Sequence, residues 1–183
     1  MPYPRILLPP FAAVDGPAVT TPASLTDATP LPAANIPSNW LHPGGMCMID
    51  VSGRFTSTGT PGTLTIGLYL AKPAVAIASA VLVVASAALV PLASQTNSSF
   101  ALRYRIETVT MGAGGAGVGQ VRAWGIVFGL VGLTTFNLIP ATAPMAAVSL
   151  DTTSDQRVLI GLTPSVTTGS VTLHNCTTEY SGD

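Results

Sequence analysis

Between residues 100 and 107 the chain reads FALRYRIE. Phe100, Leu102, Tyr104 and Ile106 fall on one side of a period-two pattern, and Arg103, Arg105 and Glu107 fall on the other. A helix would scatter these residues around its axis; a strand with one dry face and one wet face sorts them cleanly. The same rule runs through CMIDVSGRF, where Cys47, Ile49, Val51, Gly53 and Phe55 point one way and Met48, Asp50, Ser52 and Arg54 the other. Leu64, Ile66, Leu68 and Leu70 alternate with Thr63, Thr65 and Tyr69 directly after the turn signal GTPG at 59–62. VRAWGIVFGL, RVLIGLT and SVTLHNCTTEY supply three further candidates. Short strands punctuated by Gly and Pro, with no convincing helix, predict an all-β fold: an antiparallel β-sandwich of jelly-roll type with about eight strands.

One run resists this pattern. Residues 74–94, AVAIASAVLVVASAALVPLAS, carry no charge and match the length of a membrane-spanning helix. Their content argues otherwise: Ala dominates, Pro73 and Pro91 bracket the run, aromatic anchors are absent, and Lys72 and Arg103 are the only flanking cations nearby. At period two, Val75, Ile77, Ser79, Val81, Val83 and Ala85 share one face, so the run is expected to hold strand and loop.

The first 45 residues contain ten of the sixteen prolines, three charges and no alternation, and end at HPGG. They predict an extended arm (1–45) that adds little to the core of a sandwich spanning 46–183. A second irregular stretch, about 130–150, has no charge from Leu130 to Leu150 and is expected to dock on a neighbour.

Composition narrows the function. Charged residues are 8% of the 183-residue chain, against roughly 25% in ordinary soluble domains. A surface this poor in charge associates unless covered, so an obligate assembly with copies of itself or with other proteins follows. The net charge of -1 lacks the basic footprint of nucleic-acid binding, so no direct nucleic-acid partner is expected. MPYPRILLPPF places prolines where a signal peptide needs an apolar helix, so assembly in a cytoplasm is expected, with no membrane partner. Cys47 and Cys176 are too few and too far apart for a disulfide framework or zinc site and are read as buried free thiols. Asn97-Ser-Ser and Asn175-Cys-Thr match the glycosylation pattern by chance on this reading.

Candidate chemistry is thin. Gly112-x-Gly114-x-x-Gly117 has dinucleotide-fingerprint spacing, but the following VRAWGIVF reads as a strand, and a flexible hairpin loop is expected. His42 lies in the arm and His174 on the last strand, neither at a nucleophile spacing. Asp151 and Asp155 flank a Thr/Ser turn and read as turn residues before a carboxylate pair or a calcium loop. Trp40, Trp124 and Tyr69 would suit a sugar-stacking surface if the fold gathered them, or core and interface anchors if not. No catalytic, metal or cofactor residue is assigned, and the chain is read as a non-enzyme without cofactors.

The order of elements resembles a group of tailed-bacteriophage virion proteins. The resemblance rests on IPSNWLHPGG, a strand ending in Gly53-Arg54, TPGTLT, the GLY strand at 67–69, LASQTNSSFALRYRIETVTMG and, near the end, VTLHNCTTE. It spans roughly residues 36–180 and departs at Ser99, where the group commonly has proline, and in the apolar insertion after Gly129. It implies a homotrimeric jelly-roll virion protein that decorates and cements the capsid shell by contacting the major capsid protein or other virion proteins. A minor tail or tail-fibre protein is the alternative it leaves open; a holin-like membrane protein rests on residues 74–94 alone, and a carbohydrate-binding module on the few aromatics.

Overall fold

A computed structural model describes residues 6–7, 15–21, 23–31, 33–112, 117–132, 135–141, 145–167 and 169–181. Among them run twelve strands: β1 (Ile6–Leu7), β2 (Thr26–Asp27), β3 (Asn35–Ile36), β4 (Met46–Ser57), β5 (Leu64–Ala71), β6 (Val81–Ala85), β7 (Ser98–Thr110), β8 (Val118–Phe128), β9 (Phe136–Ile139), β10 (Val148–Asp151), β11 (Gln156–Pro164) and β12 (Gly169–Ser181). They form two sheets, one ordered β1-β12-β4-β7-β8-β10 with β9 also on β8, the other ordered β2-β11-β5-β6 with β3 also on β11. Every pairing is antiparallel. The all-β antiparallel sandwich expected from alternation is the fold.

Alternation tells which side faces in. Ile49 and Val51 of β4, Leu102 and Ile106 of β7, and Val121 and Val127 of β8 are buried against Ile66, Leu68 and Leu70 of β5 and Val158, Ile160 and Leu162 of β11 in one core. Cys47 and Cys176 are free thiols in that core; burial first, then Cys176 beside Cys47 and Asp50 beside Cys176, pushes each thiol up to about 12.

Four strand glycines make room for rings. Tyr104, fully buried, pairs across the ladder with Gly125, where a Cβ would come within 2.5 Å of the ring. Phe100 pairs with Gly53, where a Cβ would meet the ring at 2.9 Å. On the other sheet Gly67 pairs with Gly161, and a Cβ on either would lie 2.6 Å from the Tyr69 ring. Each glycine gives up side-chain packing of its own so that a large neighbour can lie flat across its strand.

Two expectations are corrected. The arm is extended, yet its described residues belong to the sandwich: Val19, Ala28, Ile36 and Leu41 are core residues. β1 and the Val19↔Val171 bridge run along β12, while β2 and β3 run along β11, so the segment covers one edge of each sheet. Within 74–94 the run is loop, a 3-10 turn at Ile77–Ser79, and β6, as expected, and no helix among the described residues is long and apolar enough to cross a membrane. The single alternating face is wrong, however, because a register shift opposite Leu68 and Tyr69 turns both Val83 and Val84 inward. Upstream of the shift, Ile77 with partly buried Val75 and Ala80 covers Ala71 and Leu159 on the outer side of the five-stranded sheet.

Two stability tests follow. Ile36→Ala should cost about 2–5 kcal/mol in urea unfolding, the range for removing a buried branched side chain, where an arm outside the core would cost almost nothing. Gly125→Ala should cost about 1–3 kcal/mol through overpacking, and Tyr104→Leu in the same chain should recover part of that loss.

Candidate interaction surface on the seven-stranded sheet

The outer face of the seven-stranded sheet carries the residues that alternation turned away from the core, and cross-strand register sets them in rows. One row sets Asp50 beside Arg103, which pair at 2.6 Å, and continues to Ile126 and Leu138. The next sets Met48, Arg105 and Trp124 side by side, with the Arg105 guanidinium 5.9 Å from the Trp124 ring centre. Glu107 then receives Arg122 at 2.9 Å and Arg105 at 3.3 Å. These charges are partly exposed and satisfied by one another, which leaves little net field.

Toward β9 the face changes character. Phe128, Phe136 and Leu138 are 43%, 61% and 53% exposed, and the two rings lie 6.4 Å apart across the β8–β9 ladder. This apolar surface sits on a four-residue edge strand drawn from the uncharged insertion.

The residues singled out in the sequence are dispersed. Trp40 packs on Tyr180 at 5.1 Å, and the Tyr180 hydroxyl meets His42 Nε2 at 2.5 Å, so both tie the arm to β12. Trp124 is on the outer face of one sheet and Tyr69 on the outer face of the other; no aromatic platform forms from the three. Gly112 and Gly117 flank the β7–β8 connection between antiparallel strands; Gly112 N–H donates to Thr152 Oγ1 and the Gly117 carbonyl accepts from Thr152 N–H. Gly114 lies outside the described residues.

Asp151 and Asp155 also have separate tasks. Asp155 accepts from Ser38 N–H at 2.8 Å. The Asp151 carboxylate takes Lys72 at 2.7 Å together with the Ser154 and Thr153 hydroxyls and Thr153 N–H, and these partners, Lys72 foremost, hold its carboxyl well below the usual carboxylate range. Because Lys72 follows β5 and Asp151 ends β10, the pair pins one sheet to the other. Among the described residues no group of three or more His, Cys, Asp or Glu is placed to hold a metal ion.

The apolar patch was not assigned from the sequence, although its signal was present. Phe128 and Phe136 occupy outward strand positions where a polar residue is the rule, and only the β8–β9 hairpin brings them together.

No family model matches the chain, and no curated protein matches it in sequence. Among solved structures, a protein of unknown function from Shewanella oneidensis MR-1 is 11% identical, with 97% of this chain and 75% of that one covered at a TM-score of 0.42. Lectin I-B4 from Griffonia simplicifolia, in its metal-free form, is 12% identical, with 97% and 99% covered at a TM-score of 0.43. Overlap at these levels assigns neither family nor activity.

Asp151 yields a pH test. Its folded carboxyl titrates below the unfolded value of about 3.9, so the stability it contributes is present above that value and is lost as pH falls through the acid range. Asp151→Asn should lower stability by about 1 kcal/mol at pH 7, where its hydrogen bonds are lost to an amide and exposed Lys72 adds little. The gap to the parent should narrow in urea titrations near pH 3.

Proposed function

We propose that this chain is a non-enzymatic structural protein of a tailed-bacteriophage virion, a capsid decoration protein acting as a homo-oligomer, with a minor tail or fibre protein as the neighbouring reading. The observation that carries the proposal is the exposed Phe128–Phe136–Leu138 surface on an open edge strand. It is the kind of surface a chain with 8% charged residues has to cover in its working state. The motifs around residues 36–180 that resemble virion proteins support the same reading.

The mechanism is mechanical. Sister subunits bury the β8–β9 patch against one another, and many copies on one particle multiply weak contacts with the coat into a durable attachment. The arm, with its described residues engaged along β11 and β12, does not have to be the attachment device.

Phe136→Ser with Leu138→Ser tests this, since both side chains are more than half exposed and the fold does not need them. The parent should sediment as an oligomer and rebind particles stripped of it. The double variant should unfold at an unchanged temperature yet dissociate at concentrations at least tenfold higher, as expected when a central apolar anchor is lost. A monomeric parent that leaves stripped particles bare would overturn the proposal.

A further inference from the structure

At the other end of the same outer face a cleft opens beside Arg54, lined by Thr56, Asn97, Ser170, Thr172 and His174, with Asp15 at its rim. Register places Arg54 directly opposite Thr172 and Thr56 opposite Ser170, so two ladder rungs of β4 and β12 form its floor. Asn97, in the left-handed region at φ 52°, forms one wall, its backbone N–H bound to Thr56 Oγ1 at 3.2 Å.

The hydrogen-bond accounting of this cleft is one-sided. Arg103, Arg105, Arg122 and Lys72 each have a carboxylate, and Arg157 donates to the Val75 carbonyl. Among the described residues the Arg54 guanidinium has neither an ion pair nor a hydrogen bond, nor do the Asn97 side-chain amide or the Ser170 and Thr172 hydroxyls have partners. The Thr56 hydroxyl accepts from Asn97 and keeps its own proton to donate. The one carboxylate nearby, Asp15, is engaged by His174 Nδ1 at 2.6 Å. What remains is a guanidinium fork, an amide and three hydroxyls, a donor-rich set in which no carboxylate of the described residues lies within ion-pair distance of Arg54.

The geometry points to an oxyanion-binding site centred on Arg54, which takes a carboxylate or phosphate group on the guanidinium and places the ligand's remaining oxygens against Thr56, Asn97, Ser170 and Thr172. Arginine engages such groups through two parallel N–H donors, and hydroxyls beside it select for oxygen-rich ligands over simple apolar acids. Its location is at the opposite end of the face from the β8–β9 patch, so it stands or falls independently of the virion role.

Calorimetric titration of the full chain at pH 7 and low salt, with glucuronate, inorganic phosphate and glucose as probes, tests the site. One or both anions should bind saturably and glucose should not. Tighter glucuronate marks a saccharide carboxylate as the source, and tighter phosphate marks a phosphate group. Arg54→Gln should weaken anion binding at least tenfold, and Thr172→Val, which keeps the charge, about threefold to tenfold, both without moving the unfolding temperature. Failure of both anions to bind the parent, equal binding of glucose, or undiminished binding by Arg54→Gln would overturn the assignment.

Discussion

The fold depends on β4 being paired along both edges. Between Met46 and Phe55 each residue has a partner on β7, and from Met46 to Ser57 it has partners on β12 across a bulge at His174. A strand locked on two sides cannot slip by one residue without turning Cys47, Ile49, Val51 and Phe55 to water and Asp50 and Arg54 into the core. With that register fixed, β7 and β12 inherit theirs, and the inward stripe that results is the surface against which β5 and β11 pack.

Where charge alternates with apolar residues, the sequence was readable almost residue by residue. β4, β5 and β7 bury the residues that period-two counting selects. Legibility failed where the contrast vanished. In Val81–Ala85 every residue is apolar, so nothing marks the register shift that buries two consecutive valines. In the arm, β2 and β3 are two residues long, too short for any period, and Ala28 and Ile36 enter the core singly between prolines. The apolar half of the outer face could be suspected from the uncharged insertion, but not located. The Arg54 cleft joins residues from positions 15, 54–56, 97 and 170–174, and no linear spacing announces it.

Scarcity of charge explains how the outer face is divided. Eight acids and seven bases cannot wet both sheets. Those on this face are concentrated in the rows around Asp50, Arg103, Arg105, Glu107 and Arg122, where they largely neutralise one another. The flanking ends are left with unlike properties: one apolar and ringed by Phe128, Phe136 and Leu138, the other supplied with spare donors around Arg54. A single sheet thereby offers two chemically distinct grips, one on β8 and β9 and the other on β4 and β12.

The five-stranded sheet is different, because residues 75–80 and Leu25 lie over Tyr69, Ala71 and Leu159 and close much of its outer side with the protein's own chain. The loop that looked in sequence like a passage through a membrane acts as a lining. A body with one upholstered side and one bare side has a front and a back. Laid on any surface, it has one orientation that conceals apolar area and another that wastes it, so its sidedness is written into its own covalent chain.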